Sequence, residues 1–339
     1  MIISNRPVGT SNRPVFYFPG PNTCNLRIAK TVNLSVTINF LFHRMLRLGA
    51  CLGLVVVASA QNTVTPAPLA ISDVPRATQI GTGPVPAGAP GNGRYVPPVP
   101  ADTNLPTLWL IGDSTVRNGT LGDNGPTGQW GWGAPITAYF DLKKINVVNR
   151  AFGGTSSRTF YSGFFWKNLR PQIKPGDFVL LQFGANDNGG AKGKGALAGI
   201  GENTETNQDE VVHTFGWYLK QFVAETRAQH ATPIICSLTP RKAWSADGKQ
   251  FKRDNRTHAA WAQQVASATA TPFIPLYDLI ATQCEQLGRE KVDTLYVPSP
   301  KEKLHPGWDG AVLNAGCVIA GLKALPDDPL EKYFSARAL

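Results

Sequence analysis

No Asp or Glu occurs in the first 60 positions, which hold six Lys or Arg, so the formal net charge of +10 over 339 residues is gathered at one end. Beyond residue 60 the balance is 27 basic against 23 acidic residues, or +4. No long Lys/Arg run or basic helical stripe remains there, so binding to nucleic acid or to an anionic membrane surface has little electrostatic basis. Cysteine is scarce: of five, only Cys236, Cys284 and Cys317 follow residue 60. They are too few for a disulfide scaffold and not spaced as a zinc site. Cys284 and Cys317, each on a helical pattern late in the chain, can pair in an oxidising compartment, with thiols buried apart as the equal alternative. Long apolar runs are missing too; Leu48 to Ala58 is too short to span a bilayer.

That apolar run nevertheless has a recognisable setting. Met45 and Arg47 precede it, and Ala58-Ser59-Ala60 precedes Gln61, the layout of a cleaved secretory signal. Met45 thus reads as the true start, residues 1–44 as an upstream extension outside the native protein, and residues 45–60 as the signal peptide. A secreted protein, extracellular or periplasmic, is expected. Between Gln61 and Pro100 stand nine prolines and five glycines with few apolar clusters. Such composition cannot bury enough surface to offset its ordering entropy, so residues 61–105 read as a linker or an arm lying on the domain. The folded domain is placed at 106–330.

Within it, short apolar segments alternate with helical patterns: TLWLIG (107–112), INVVN (145–149), DFVLLQF (177–183), TPIICSL (232–238) and PFIPLYD (272–278). Val212, Phe215, Leu219, Phe222 and Val223 repeat at helical spacing, predicting a helix from about Asp209 to Gln229. The Gly-rich segment 190–208 reads as a loop over the carboxyl edge of a sheet. The alternation predicts an α/β fold, a parallel sheet with helices on both faces.

The first apolar segment stops abruptly at Gly112-Asp113-Ser114-Thr115, which places Ser114 at a strand's carboxyl end, where ligands of parallel α/β sheets sit. Three more blocks follow in order: AFGGTSSR (151–158), QFGANDNG (182–189) and KEKLHPGWDGAVLN (301–314). Together these resemble the SGNH, or GDSL-like, hydrolase superfamily. GDST with GWG (131–133), HTFGWYL (213–219) and LNAGCVIAGLKAL (313–325) look most similar to its rhamnogalacturonan acetylesterase group. The resemblance implies a three-layer, flavodoxin-like α/β/α sandwich with about five parallel strands, hydrolysis of carbohydrate O-acetyl esters, and no metal or organic cofactor.

Carried over by motif, Ser114 matches the nucleophile, His305 the general base, and Gly154 and Asn186 the oxyanion-hole donors that join the Ser114 backbone N–H. A serine hydroxyl needs a neighbouring imidazole to take its proton, and the developing oxyanion needs preorganised donors. Where the family usually has Asp three before the histidine, this sequence has Glu302, expected to complete the triad, with Asp293 as the other candidate. Asp113, Trp132, Arg158 and Trp308 lie beside the motifs and are candidates for lining a sugar cleft, with packing or surface pairing as the alternative for Trp132, Arg158 and Trp308. The expected protein is a monomeric, secreted serine esterase acting on an acetylated plant cell-wall polysaccharide or oligosaccharide, foremost rhamnogalacturonan. Its alternatives are an esterase for another acyl ester, such as acetylated xylan or a lipid, and a non-catalytic carbohydrate-binding relative.

Overall fold

Strand β1 (Thr107–Gly112) is buried along its whole length, because alternate side chains serve two different cores. Leu108 and Leu110 enter one core, Trp109 and Ile111 the other. The same division recurs in β2 (Asn146–Asn149), where Val147 and Val148 part, and in β3 (Phe178–Gln182), where Phe178 and Leu180 oppose Val179 and Leu181. The computed structural model describes residues 95–117, 128–254, 256–299 and 301–338. The expected upstream extension (1–44), the signal peptide (45–60) and the linker as far as residue 94 lie outside the described residues.

One face of the sheet carries α1 (Ser157–Ser162), α2 (Phe164–Leu169), α3 (Phe215–Ala228) and α4 (Thr257–Ala268), whose Phe160, Trp166, Phe222 and Val265 fill the Trp109/Ile111 core. The other carries α5 (Leu276–Leu287) and α7 (Trp308–Lys323), joined by the short α6 (Arg289–Thr294). With β6 (Thr232–Cys236) and β7 (Phe273–Ile274) the five parallel strands take the order β2-β1-β3-β6-β7. This is the expected three-layer α/β/α sandwich. The direction of winding reverses between β1 and β3, and the crevice at such a reversal is where ligands of these folds bind.

Several expectations need correction. The helix expected from Asp209 starts only at Phe215, because Glu210–His213 pairs antiparallel with Thr204–Asn207 as β5 and β4, which also makes the end of the expected 190–208 loop a strand. Val211 and Val212 suit a strand, and the Thr214 hydroxyl, accepting from Trp217 N at 3.1 Å, caps the helix after them. PFIPLYD contributes only Phe273–Ile274 to the sheet, since Pro275 has no N–H for the ladder and α5 begins after it. Cys284 and Cys317 form no bridge: with Cys236 they are free, buried thiols, each packing as a small apolar side chain. Packing also reaches into the stretch expected as a linker or an arm lying on the domain, and past the expected end at 330. Tyr95 packs edge-on against Phe152 at 5.0 Å, and Phe334 lies buried at 5.3 Å from Phe140.

Candidate active site

The turn after β1 is fixed by Asp113, whose carbonyl accepts from Val116 N (3.2 Å) and Arg117 N (3.1 Å). Its Oδ1 accepts from Thr115 N (2.9 Å) and from Thr115 Oγ1 (2.8 Å). The GWG segment runs alongside: Gly131 N donates to Arg117 O (2.9 Å), Trp132 N to Thr115 O (3.0 Å) and Gly133 N to Val116 O (3.1 Å). A Cβ at Gly131 would lie 2.3 Å from the Val116 carbonyl carbon, so only glycine lets these backbones approach. Beneath the turn runs a relay of one direction. The Trp132 indole N–H donates to Gln182 Oε1 (2.7 Å), the Gln182 amide to Thr115 Oγ1 (2.5 Å), and that hydroxyl to Asp113. Trp132 and Asp113 are both fully buried, so neither lines a sugar cleft; they hold the turn that presents Ser114.

Ser114 Oγ stands 2.8 Å from His305 Nε2. On the other side of the ring, Nδ1 is 3.0 Å from Glu302 Oε2. A carboxylate only accepts, so Nδ1 carries the proton and Nε2 is left to accept from the serine hydroxyl. Glu302 is itself held at four points, Oε1 accepting from Leu304 N (2.8 Å) and His305 N (2.9 Å), and Oε2 also from the Gln129 amide (3.1 Å). Burial alone raises its pKa, but the hydrogen bonds and the neighbouring His305 outweigh that and leave the carboxyl below its ordinary value. The loop is tied to the serine side through Trp130 N, which donates to Pro306 O (3.0 Å).

Gly154 has φ +77°, a left-handed conformation that favours glycine, with open space where a Cβ would stand. Among the described residues, neither the Ser114 nor the Gly154 backbone N–H has a hydrogen-bond acceptor, leaving both available to an oxyanion. Asn186 Nδ2 donates one hydrogen to Thr155 O (2.9 Å) and keeps a second. The next residue, Asp187, braces the two loops: its Oδ1 accepts from Ser157 Oγ (2.5 Å) and Ser157 N (3.0 Å). Burial, with the charge of Asp113 adding to it, lifts Asp187 to about 6 despite those bonds. Burial likewise raises Asp113, against the bonds from Thr115 and the pull of His305. Asp187 and Gln182 escaped the sequence reading, although an acid directly after Asn186 and a polar residue closing the apolar FVLLQ are visible signals.

Arg158, read as a sugar contact, instead pins a loop to β5. Its guanidinium spans both Glu210 oxygens (3.1 and 2.6 Å) and reaches the carbonyls of Ala191, Gly193 and Gly195 (3.1–3.2 Å), with the residue 5% exposed. Trp308 is buried edge-on against Trp130 at 4.7 Å and covers core rather than a cleft. Asp293, the other candidate acid, pairs with Lys242 at 2.9 Å, not with His305. Among the described residues no cluster of His, Cys, Asp or Glu could hold a metal ion, and no helix is long and apolar enough to cross a membrane.

The sequence model of the GDSL-like Lipase/Acylhydrolase family matches residues 110–313. The probable rhamnogalacturonan acetylesterase YesY of Bacillus subtilis is 30% identical over 220 residues, 64% of this chain and 93% of that protein. A rhamnogalacturonan acetylesterase of Emericella nidulans is 26% identical, over 63% of this chain and 83% of its own. The crystal structure of protein YxiM from Bacillus subtilis superposes with a TM-score of 0.53 at 25% identity, over 65% of this chain and 56% of that one.

Proposed function

Because the chain belongs to the GDSL-like lipase/acylhydrolase family and is thereby a carboxylic ester hydrolase, we propose that it removes O-acetyl groups from plant cell-wall polysaccharide, foremost rhamnogalacturonan, through an acyl-Ser114 intermediate. The observation that carries this mechanism is the Ser114–His305–Glu302 alignment, 2.8 Å and 3.0 Å on opposite nitrogens of one ring.

In the first half-reaction the Ser114 oxygen attacks the acetyl carbonyl carbon while His305 Nε2 takes the hydroxyl proton. The carbonyl oxygen becomes an oxyanion, received by the N–H groups of Ser114 and Gly154 and by the Asn186 amide. Loss of one such donor costs about 10²–10³ in rate. Glu302 stabilises the imidazolium without taking its proton. The C–O bond to the sugar then breaks, and the sugar oxygen leaves with the proton from Nε2. Water, deprotonated by the same nitrogen, attacks the acyl-serine and releases acetate and Ser114.

The polysaccharide assignment rests on the names of the two acetylesterase relatives and on the resemblance of this chain's motifs to that group. Acetate release from acetylated rhamnogalacturonan and acetylated xylan, compared at equal acetyl content, tests it: faster release from xylan would replace the substrate, and release from neither would remove the reading. Export belongs to the same proposal, supported by the Ala58-Ser59-Ala60 site. N-terminal sequencing of protein from the medium should then read from Gln61.

A further inference from the structure

The loop that delivers Glu302 and His305 has a second side. Between it, α6 and the segment following residue 241 lies an open cleft of about 560 Å³, lined by Lys242, Trp244, Arg289, Asp293, Ser299 and Lys303 among others. Three cations face one carboxylate there. Asp293 is already engaged, with Lys242 Nζ at 2.9 Å and Arg289 Nε at 3.9 Å. Lys242 is held in place: its side chain is 16% exposed, its ammonium sits 5.0 Å from the Tyr296 ring, and its backbone N donates to Lys303 O at 2.6 Å. Charge held in place before binding pays less ordering entropy when a ligand arrives. The Arg289 side chain is 62% exposed, and Lys303 is exposed as well, so both can turn towards a ligand.

We propose that this cleft is a subsite for a carboxylate-bearing sugar of the same polymer chain whose acetyl ester meets Ser114. The net positive lining supplies the counter-charge for a uronate, and the half-buried Trp244 indole offers a flat apolar wall for a sugar ring. Lys303 stands two residues before His305, so at most about 7 Å of backbone separates them, and an occupant of the cleft lies on the loop that ends at the base. A neutral polymer meets the same three cations only as hydrogen-bond donors to its hydroxyls, without charge pairing. The inference rests on the reading that Ser114 cleaves a carbohydrate ester, and it assigns the neighbouring sugar's charge to named residues.

The experiment uses the full chain carrying Ser114→Ala, which binds without turnover. Calorimetric affinity for an unacetylated galacturonate oligomer is compared with that for a neutral xylo-oligomer of equal length. The expected preference for the acidic oligomer is about fivefold or more and shrinks between roughly 0.05 M and roughly 0.5 M salt, as exposed charge contacts are screened. Adding Arg289→Gln and Lys303→Gln should abolish the preference while the melting temperature stays near that of Ser114→Ala; charge reversal by Lys303→Glu provides a second variant. Equal affinity for both oligomers, or a preference that survives the substitutions, overturns the proposal. Acetate release by the unsubstituted protein is scored separately. Release without uronate preference removes the subsite alone, and uronate preference without release of any acetyl ester removes the esterase reading.

Discussion

Glu302→Gln isolates what the carboxylate does for His305, because the amide keeps the shape and exchanges one acceptor for a donor. Two orientations are open to it. If the amide nitrogen takes the Oε1 position, it meets the backbone N–H groups of Leu304 and His305, which cannot become acceptors; two hydrogen bonds, of 2.8 and 2.9 Å, turn into donor–donor contacts. If it takes the Oε2 position, it meets Gln129, whose amide can turn its oxygen round, and His305 Nδ1, which accepts only by giving up its proton. The second orientation therefore wins, and it drives the imidazole into the tautomer with hydrogen on Nε2. That nitrogen then points a donor at Ser114 and cannot take the hydroxyl proton. In a protease triad the same amide swap costs about 10⁴ in turnover, or about 5.5 kcal/mol in the barrier. We expect a loss of about 10³–10⁴ here, with the melting temperature within a few degrees of the parent. Hydrolysis of 4-nitrophenyl acetate from pH 5 to 9 provides the assay. Turnover within roughly tenfold of the parent would refute the reasoning, since it would mean that His305 needs no carboxylate to hold its working tautomer.

Three further outcomes are expected. Ser114→Ala should remove ester hydrolysis and labelling by a fluorophosphonate while leaving thermal unfolding nearly unchanged; retained turnover would exclude the serine mechanism. Asp187→Asn should change the pH dependence of stability. A carboxyl held at about 6 in the fold and near 3.9 when unfolded destabilises by up to about 3 kcal/mol once both states are ionised. The stability of the variant relative to the parent should therefore rise from pH 4 to pH 7, which denaturant titrations at several pH values will read; a flat difference contradicts the assignment. Trp132→Phe should cost about 2–3 kcal/mol in urea unfolding, because it leaves Gln182 Oε1 buried without its donor and shrinks a filled site. No cost would mean that the relay does not support the turn.

How much of this was legible in the sequence depended on the range of the forces involved. Strands β1 and β3 could be read because buried parallel strands are nearly continuous apolar runs, and both boundaries fell within a residue of TLWLIG and DFVLLQF. Ser114, His305, Gly154 and Asn186 could be named because each sits in a motif that resembles the family's; the first, third and fourth follow β1, β2 and β3, and His305 stands in the loop before α7. Glu302 could be placed beside His305 by its three-residue spacing. The burial of a side chain next to a motif is decided by partners far along the chain, and there the reading failed. Arg158 is buried because Glu210 and three carbonyls of residues 191–195 surround it, and Trp132 because Gln182 waits beneath it. The hairpin before α3 was missed for a related reason: Val212 and Phe215 fit helical spacing, yet the pairing of 204–207 with 210–213 is a tertiary choice that periodicity cannot express.

The misread residues share a physical role, and it bears on how the site is kept. A nucleophile on a tight turn at an edge of the sheet has few contacts of its own, so its position must be fixed from below. The Trp132–Gln182–Thr115–Asp113 relay does this with hydrogen bonds in a dry interior, where each bond is stronger and each broken one costs more than in water. Asp113 and Asp187 burden the fold, because burial raises the cost of ionising each carboxyl and the charge of Asp113 raises that of Asp187 further. That cost has a partial return. Asp113 lies within electrostatic reach of His305, which pulls the carboxyl's pKa down against the larger effect of its burial. Support and chemistry are thus carried by different side chains. Substitutions in the relay should lower stability and activity together, whereas substitutions at Ser114 should lower activity alone.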